Sequence, residues 1–177
     1  ANGGVNFCLY SETAREVYLL LFDKPGGDPT DVIRVENRTR NIWHVHVKGL
    51  DAGQLYAYRV AGEFKPEMGL RFNENKLLLD PYGRGLVLPA GYTPASARKP
   101  GDNSATAMKS VVVDPAAYDW EGDEPLRRPS ARTVIYEMHV RGFTRHPNSG
   151  VKENVRGTYA GLIEKIPYLK ELGITAV

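Results

Sequence analysis

The first third of the chain alternates between apolar and polar positions, which is the period of a β-strand with one buried face. In "VNFCLY" the apolar residues Val5, Phe7 and Leu9 fall on one side. "REVYLLLF" is apolar at most positions and predicts a more fully buried strand. "DVIRVEN", "NIWHVHVK" and "QLYAYRVAG" alternate again. Five short strands with turn residues between them predict an all-β, immunoglobulin-like antiparallel sandwich.

The middle of the chain, residues 62–132, has no regular period. "RFNENKLLLDPYG" predicts a fixed loop with an apolar plug, and residues 89–109 are rich in Pro, Gly, Ser and Ala, which is typical of a surface excursion. "SVVVD" predicts one more short strand, and "DWEGDEPLRRP" a connection between domains. We therefore assign residues 1–88 to the sandwich and 89–132 to a linker with an extra strand.

After residue 132 the period changes. "TVIYEMHV" predicts a strand, and "GTYAGLIEKIPYLKELG" has apolar residues at helical spacing. Pro167 should divide that segment into two short helical pieces, Gly173 fits a C-terminal cap, and "ITAV" returns to a strand. Strand, helix and strand at this connection length predict a parallel crossover unit. Residues 133–177 are therefore expected to begin a second domain that is truncated.

Composition and charge narrow the classes of function. The 177 residues include 23 basic and 21 acidic ones, a net charge of +2 without a basic block, so nucleic acid is not an expected partner. No run approaches the ~20 apolar residues of a membrane span, so no membrane partner is expected. The single cysteine, Cys8, excludes an internal disulfide and has apolar neighbours. We expect it to be a small core residue in a protein of the reducing cytoplasm.

Polar side chains alternate along the predicted strand that opens the second region. Glu137, His139 and Arg141 stand two residues apart, each step being about 6.6 Å, so they would share one face. Two interpretations remain open. The three side chains could form a structural ladder that pairs its own polar groups, or His139 or Arg141, toward the C-terminal end of the strand, could contact a substrate. Glu137 alone is a poor general acid, because glycoside hydrolysis needs two carboxylates about 5–9.5 Å apart.

Aromatic residues of the sandwich are the other candidates for chemistry. Trp43, Tyr56 and Tyr58 lie on neighbouring predicted strands and could form a platform on which sugar rings stack. Core packing is the favoured interpretation for the two tyrosines, and both interpretations stay open for Trp43. His44 and His46 have no cysteine or acidic partners at zinc spacing, so we expect a solvated face there and no metal site.

Several stretches together resemble one enzyme family. They are "GVNFCLYSETAREVYLLLFD", "WHVHVKGLDAGQLYAYRV", "GLRFNENKLLLDPYG", "TVIYEMHVRGFTRHPNSGV" and "RGTYAGLIEKIPYLKELGITAV". In this order they are similar to isoamylase-type glycogen-debranching enzymes of bacteria and archaea, which belong to the α-amylase superfamily, glycoside hydrolase family 13. The resemblance covers nearly the whole chain. Branching enzymes and pullulanases share the architecture but resemble these stretches less closely.

The resemblance implies a sandwich of carbohydrate-binding module family 48, followed by a (β/α)8 TIM barrel of which residues 133–177 are the first βαβ portion. In the family the nucleophile Asp, the acid/base Glu and a stabilising Asp lie on later barrel strands, so no catalytic residue is expected in this chain. The implied reaction is retaining hydrolysis of α-1,6 branch linkages in glycogen, amylopectin or limit dextrin. That chemistry requires no metal or organic cofactor, and the chain alone is expected to be inactive.

The chain departs from the family pattern at one strand. Modules of this class that bind glycogen tightly carry a lysine and a second tryptophan near the strand that corresponds to "QLYAYRVAGEF", where this chain has Ala57 and Phe64. We therefore expect the sandwich mainly to support the barrel. The predicted substrate contacts are Trp43, His139 and Arg141.

Other functions remain open. One alternative is a free-standing glycan-binding module. Another is a different enzyme of the α-amylase superfamily: a branching enzyme, a pullulanase or a maltooligosyltrehalose trehalohydrolase. An opened crossover unit at residues 133–177 disfavours the free-standing module, because a finished binding module would not carry it.

Overall fold

The computed structural model of the chain describes residues 3–177. The chain divides into two compact units, Ala1–Asp119 and Trp120–Val177, which we describe separately. In the described residues, no helix reaches the length and apolarity that a bilayer crossing requires. The domain limits 1–88, 89–132 and 133–177 stay predictions.

The first unit is built from short antiparallel strands. In the described part of the chain they are β1 (Val5–Tyr10), β2 (Glu16–Phe22), β3 (Asp31–Arg34), β4 (Asn37–Thr39), β5 (Ile42–Val47), β6 (Leu55–Ala61), β7 (Phe64–Lys65), β8 (Leu70–Arg71), β9 (Gly85–Val87) and β10 (Lys109–Val111). One sheet has the order β1-β5-β4, a second has the order β3-β2-β6-β10-β9, and β7 pairs with β8. The predicted all-β sandwich is confirmed.

The core lies between the two sheets, and alternate strand positions supply it. Its buried residues are Phe7, Ala14, Val17, Leu19, Leu21, Val35, Trp43, Tyr56, Tyr58 and Val60. The other face of β2 and β6 is also buried. There Leu20, Phe22 and Ala57 form a second cluster with Leu77 and Ala107. β2 is thus buried on both faces, and each such large apolar side chain stabilises the fold by about 1.5–3 kcal/mol.

Two predictions for the sandwich are wrong in detail. Cys8 is exposed and lies outside the core. Because β1 turns Val5, Phe7 and Leu9 toward the core, Cys8 points outward, with His44 as its register partner on β5. The strand expected over "DVIRVEN" ends early, at Arg34: β3 pairs with β2, and Asn37 already begins β4, which pairs with β5 of the other sheet.

The long connection between β8 and β10 is irregular but well anchored. It contains β9 and a short helix, α1 (Pro94–Arg98), while 3₁₀ turns at Pro66–Met68 and Pro115–Ala117 flank it. Leu77 is the predicted apolar plug, and the backbone of Leu78 exchanges hydrogen bonds of 2.8 and 2.9 Å with Tyr58. Lys109, where the connection returns to the sheet, is fully buried.

The second unit consists of short helices and one parallel β-bridge. Its helices are α2 (Val140–Arg145), α3 (Tyr159–Ile163) and α4 (Ile166–Glu171), with 3₁₀ turns at Ser130–Arg132, Pro147–Ser149 and Glu153–Val155. Ile135 and Ala176 form a parallel bridge, in which the Tyr136 N–H donates to the Ala176 carbonyl at 2.9 Å. The strand expected in "TVIYEMHV" is present only as this bridge, and the complete barrel stays a prediction.

Pro167 and Gly173 act as the sequence predicts. Pro167 lies in the first turn of α4, where its missing N–H breaks no intrahelical bond. Gly173 has a φ of 85°, and the next N–H, of Ile174, donates to the Leu169 carbonyl at 2.9 Å. This left-handed residue ends the helix and returns the chain toward Ala176.

Candidate functional site

Trp43 is packed inside the sandwich. Its side chain is 8% exposed, and its Nε1 donates to the Ser11 carbonyl at 3.2 Å. The Arg38 guanidinium lies 5.0 Å from the ring centroid. A sugar could stack on this indole only if neighbouring groups moved away. The geometry therefore gives Trp43 a structural role, and its contact with substrate stays a prediction.

Tyr56 and Tyr58 are core residues, which confirms the favoured interpretation. Tyr56 packs edge-on against Phe7, with ring centroids 4.9 Å apart, and its hydroxyl donates to Asp80 Oδ2 at 2.8 Å. Burial and this hydrogen bond raise the pKa of Tyr56 well above its usual range. Burial likewise raises the pKa of Tyr58, with a smaller effect of the Asp80 charge. In the described structure the Tyr58 hydroxyl has no hydrogen-bond partner.

The sandwich histidines interact with polar neighbours on their own sheet. His44 Nε2 lies 3.0 Å from Thr39 Oγ1, and His46 Nδ1 lies 3.0 Å from Asn6 Oδ1. Among residues 3–177 no group of three or more His, Cys, Asp or Glu side chains is arranged to hold a metal ion. The pair does not form a candidate metal centre.

His139 and Arg141 lie at the start of α2. His139 is the N-cap residue, and its Nδ1 accepts a hydrogen bond from the Gly142 N–H at 3.1 Å. Because the helix begins at Val140, Arg141 is a helix residue, and the predicted strand face shared by Glu137, His139 and Arg141 is wrong for Arg141. With Nδ1 as acceptor, the neutral imidazole carries its proton on Nε2 and can donate to a ligand. Both side chains are exposed, and their contact with substrate stays a prediction.

Comparison with known proteins identifies the first unit. Residues 1–83 match the family model described as carbohydrate-binding module 48, the isoamylase N-terminal domain. Residues 1–83 of the sandwich are therefore similar to carbohydrate-binding modules of family 48. Its strands β1 to β8 all lie within the matched residues, whereas β9 and β10 extend the five-stranded sheet beyond them.

Beyond the module, the whole chain is similar to debranching enzymes. It is 44% identical over 184 residues to the glycogen debranching enzyme of Yersinia enterocolitica, covering 98% of this chain and 27% of that protein. It is 39% identical over 183 residues to the chloroplastic isoamylase 1 of Oryza sativa subsp. japonica, covering 99% and 22%. Among solved structures, a pullulanase from Bacillus acidopullulyticus matches with a TM-score of 0.66 at 26% identity, covering 99% and 20%. The resemblance to isoamylase-type enzymes is confirmed, and the chain spans about a quarter of the length of these curated relatives.

The outer face of the five-stranded sheet is covered in this sandwich. Ala57, which the resemblance sets near a lysine of tight glycogen binders, is 0% exposed and belongs to a cluster with Leu77 and Ala107. Phe64, at the expected tryptophan position, is 67% exposed on β7. A glucan could lie over Ala57 only by displacing this apolar cover. The covering supports the expectation that the module does not bind glycogen tightly through this face.

Proposed function

We propose that the chain is the N-terminal part of a glycogen- or starch-debranching enzyme that hydrolyses α-1,6 branch linkages by a retaining mechanism. The observation that carries the proposal is the 44% identity to a glycogen debranching enzyme over 98% of the chain. The family 48 module supports an α-glucan partner such as glycogen, amylopectin or limit dextrin. We also propose that the protein is located in the cytoplasm.

The apolar surface of the second unit supports the enzyme over a free-standing module. Ile135 and Ile163 are 71% and 63% exposed. A groove of about 530 Å³ runs along the helices, and its apolar lining includes Leu126, Leu162, Ile163, Ile166, Leu169 and Ile174. Large apolar patches of this kind usually mark an interaction surface. In a (β/α)8 barrel, further strands and helices would cover it.

The residues of this chain take supporting roles in the proposed enzyme. Retaining hydrolysis needs a nucleophile and an acid/base carboxyl about 5–5.5 Å apart. We propose that both lie in the complete enzyme beyond residue 177, as the resemblance implies. His139 and Arg141 remain the proposed substrate contacts of the second unit, because an Nε2–H donor and a guanidinium can both hydrogen-bond sugar hydroxyls. The proposed reaction uses no metal or organic cofactor.

The test is an assay of the complete product of the gene that encodes this chain. We expect the product to release linear chains from glycogen and from limit dextrin, measured as new reducing ends, and the 177-residue chain alone to release none. Formation of new branches would favour a branching enzyme. A product that binds glycogen without cleaving it would favour the binding module and overturn the proposal.

A further inference from the structure

A polar pocket of about 220 Å³ lies on one edge of the sandwich. Its walls come from β1, which is the edge strand of its sheet, from residues 111–113 and from the loop before β9. The side chains that give it chemical character are Asn6, Tyr56, Asp80, Tyr82 and Arg84. It is separate from the buried indole of Trp43 and from the covered face over Ala57, since neither residue lines it.

The loop that carries Tyr82 is fixed by hydrogen bonds. Asp80 Oδ1 accepts from the Tyr82 N–H at 2.8 Å, and the Gly83 N–H donates to the Asp80 carbonyl at 3.0 Å. The Asp80 N–H in turn donates to Ser110 Oγ on β10 at 3.1 Å. A Cβ on Gly83 would lie 3.1 Å from that same oxygen, so a glycine lets the loop pass close to the strand. Tyr82, with 85% of its side chain exposed, is therefore held out on a rigid support.

The polar groups of the pocket combine donors and acceptors. Asp80 Oδ2 accepts from Tyr56, which leaves the carboxylate further lone pairs for a ligand. Arg84 forms no ion pair with any residue in the described part of the chain, so its guanidinium donors are available. Asn6 uses its side-chain oxygen toward His46, and its amide donors remain. Neighbouring hydroxyls of a sugar ring offer the matching acceptors and donors.

We propose that this pocket binds one glucosyl unit of an α-glucan. Tyr82 stacks on the apolar C–H face of the ring, while the Asp80 carboxylate and the Arg84 guanidinium hydrogen-bond its hydroxyls. The volume fits a single ring, and a rigid aromatic anchor beside a few convergent polar groups is the arrangement of a specific small-ligand site. The choice of an α-glucan rests on the proposed function, whereas the sugar-binding chemistry rests on the pocket.

The test is a titration of the 177-residue chain with maltotriose, followed by amide chemical shifts. With so few contacts we expect a Kd of about 1 mM and shifts centred on residues 80–84. Tyr82→Ala and Arg84→Gln should each weaken binding about fivefold or more, and Tyr82→Phe should not. Tyr10→Ala is the matched control, since Tyr10 is a 62% exposed tyrosine outside the pocket. Because these side chains are exposed, spectra of the variants should show an intact fold.

Three outcomes would overturn the inference: unchanged affinity in Tyr82→Ala, shifts centred elsewhere, or equal binding of the β-linked cellotriose. If the 177-residue chain does not bind maltotriose but the full-length product debranches glycogen, the proposed sugar site is refuted and the proposed function is not. Conversely, maltotriose binding that depends on Tyr82, in a product that cleaves no glycogen, would refute the proposed enzyme and leave the pocket standing.

Discussion

Replacing Tyr58 by phenylalanine should stabilise the sandwich. The side chain is 1% exposed, and its hydroxyl has no hydrogen-bond partner in the described structure. Burying a hydroxyl without a partner costs about 1–3 kcal/mol in proteins. Phenylalanine keeps the ring that packs 6.0 Å from Tyr56, so little packing is lost. We expect Tyr58→Phe to raise the free energy of unfolding by about 1–2 kcal/mol.

Tyr56→Phe is the matched control and should have the opposite sign. It removes the hydrogen bond of 2.8 Å to Asp80, and a hydrogen bond to a charged group is worth about 1.5–3 kcal/mol. Urea unfolding, followed by tryptophan fluorescence, in which the change should come mainly from the buried Trp43 and not from the exposed Trp120, measures both variants. An unchanged m-value shows that only stability has changed. If Tyr58→Phe lowered the free energy of unfolding by 1 kcal/mol or more, its hydroxyl would have a partner and the reasoning would fail.

The same pair predicts how the sandwich responds to alkali. The pKa values of Tyr56 and Tyr58 are raised in the folded state, by burial first, whereas an unfolded tyrosine titrates near 10. The folded state therefore holds these protons more tightly, and the stability is complete below about pH 10 and falls as the pH rises above it. Each tyrosine contributes about 1.4 kcal/mol per pH unit to that loss. Tyr58→Phe should show a shallower decline of Tm between about pH 10 and 11.5, and an identical decline would contradict the assignment.

Three further changes test other parts of the fold. Lys109→Met should lower the free energy of unfolding by about 2–4 kcal/mol in urea, because the fully buried ammonium donates to two backbone carbonyls that would lose their partner. Burial by itself would raise the pKa of Asp102. Hydrogen bonds from Ser104 and Arg59 outweigh that effect and hold the pKa at about 2. Its stabilisation should therefore be lost as the pH falls from about 4 toward 2, and Asp102→Asn should flatten the acid-unfolding curve in that window. Gly161→Ala should lower the Tm of the second unit, because its Cβ would lie 2.4 Å from the Val155 carbonyl oxygen. Gly142→Ala is the control: its Cβ would have no neighbour closer than 3.7 Å, so thermal unfolding should show an unchanged or higher Tm.

The strands were predictable because apolar and polar residues alternate along each of them. Alternation placed Phe7 inward and therefore Cys8 outward, and the error at Cys8 came from weighing the usual burial of cysteine above the period. "DVIRVEN" could not be divided by pattern alone. Its strand ends at Arg34 because β3 pairs with β2 while the chain from Asn37 onward pairs with β5 of the other sheet, and that pairing is tertiary information.

The candidate site was less predictable than the fold. Period-two spacing continues through Arg141, but His139 caps a helix that starts one residue later, and histidine is not among the usual N-cap residues. The edge pocket was missed because its parts come from distant segments, with Asn6, Asp80 and Val113 meeting only in the folded sandwich. A local signal was present in "LDPYGR", where a turn sequence places an aromatic residue between a carboxylate and a guanidinium.

The similarity to family 48 modules does not by itself show that this sandwich binds glycan. In this module Trp43 faces the core, and the outer side of the five-stranded sheet is sealed over Ala57 by Leu77. Both surfaces therefore contribute stability and leave little for a ligand. Side chains for sugar recognition are exposed on the edge pocket, where Tyr82 and Arg84 stand on a rigid loop. If the module contacts α-glucan, substitutions at that edge should change binding without changing stability, whereas substitutions at Trp43 should do the reverse.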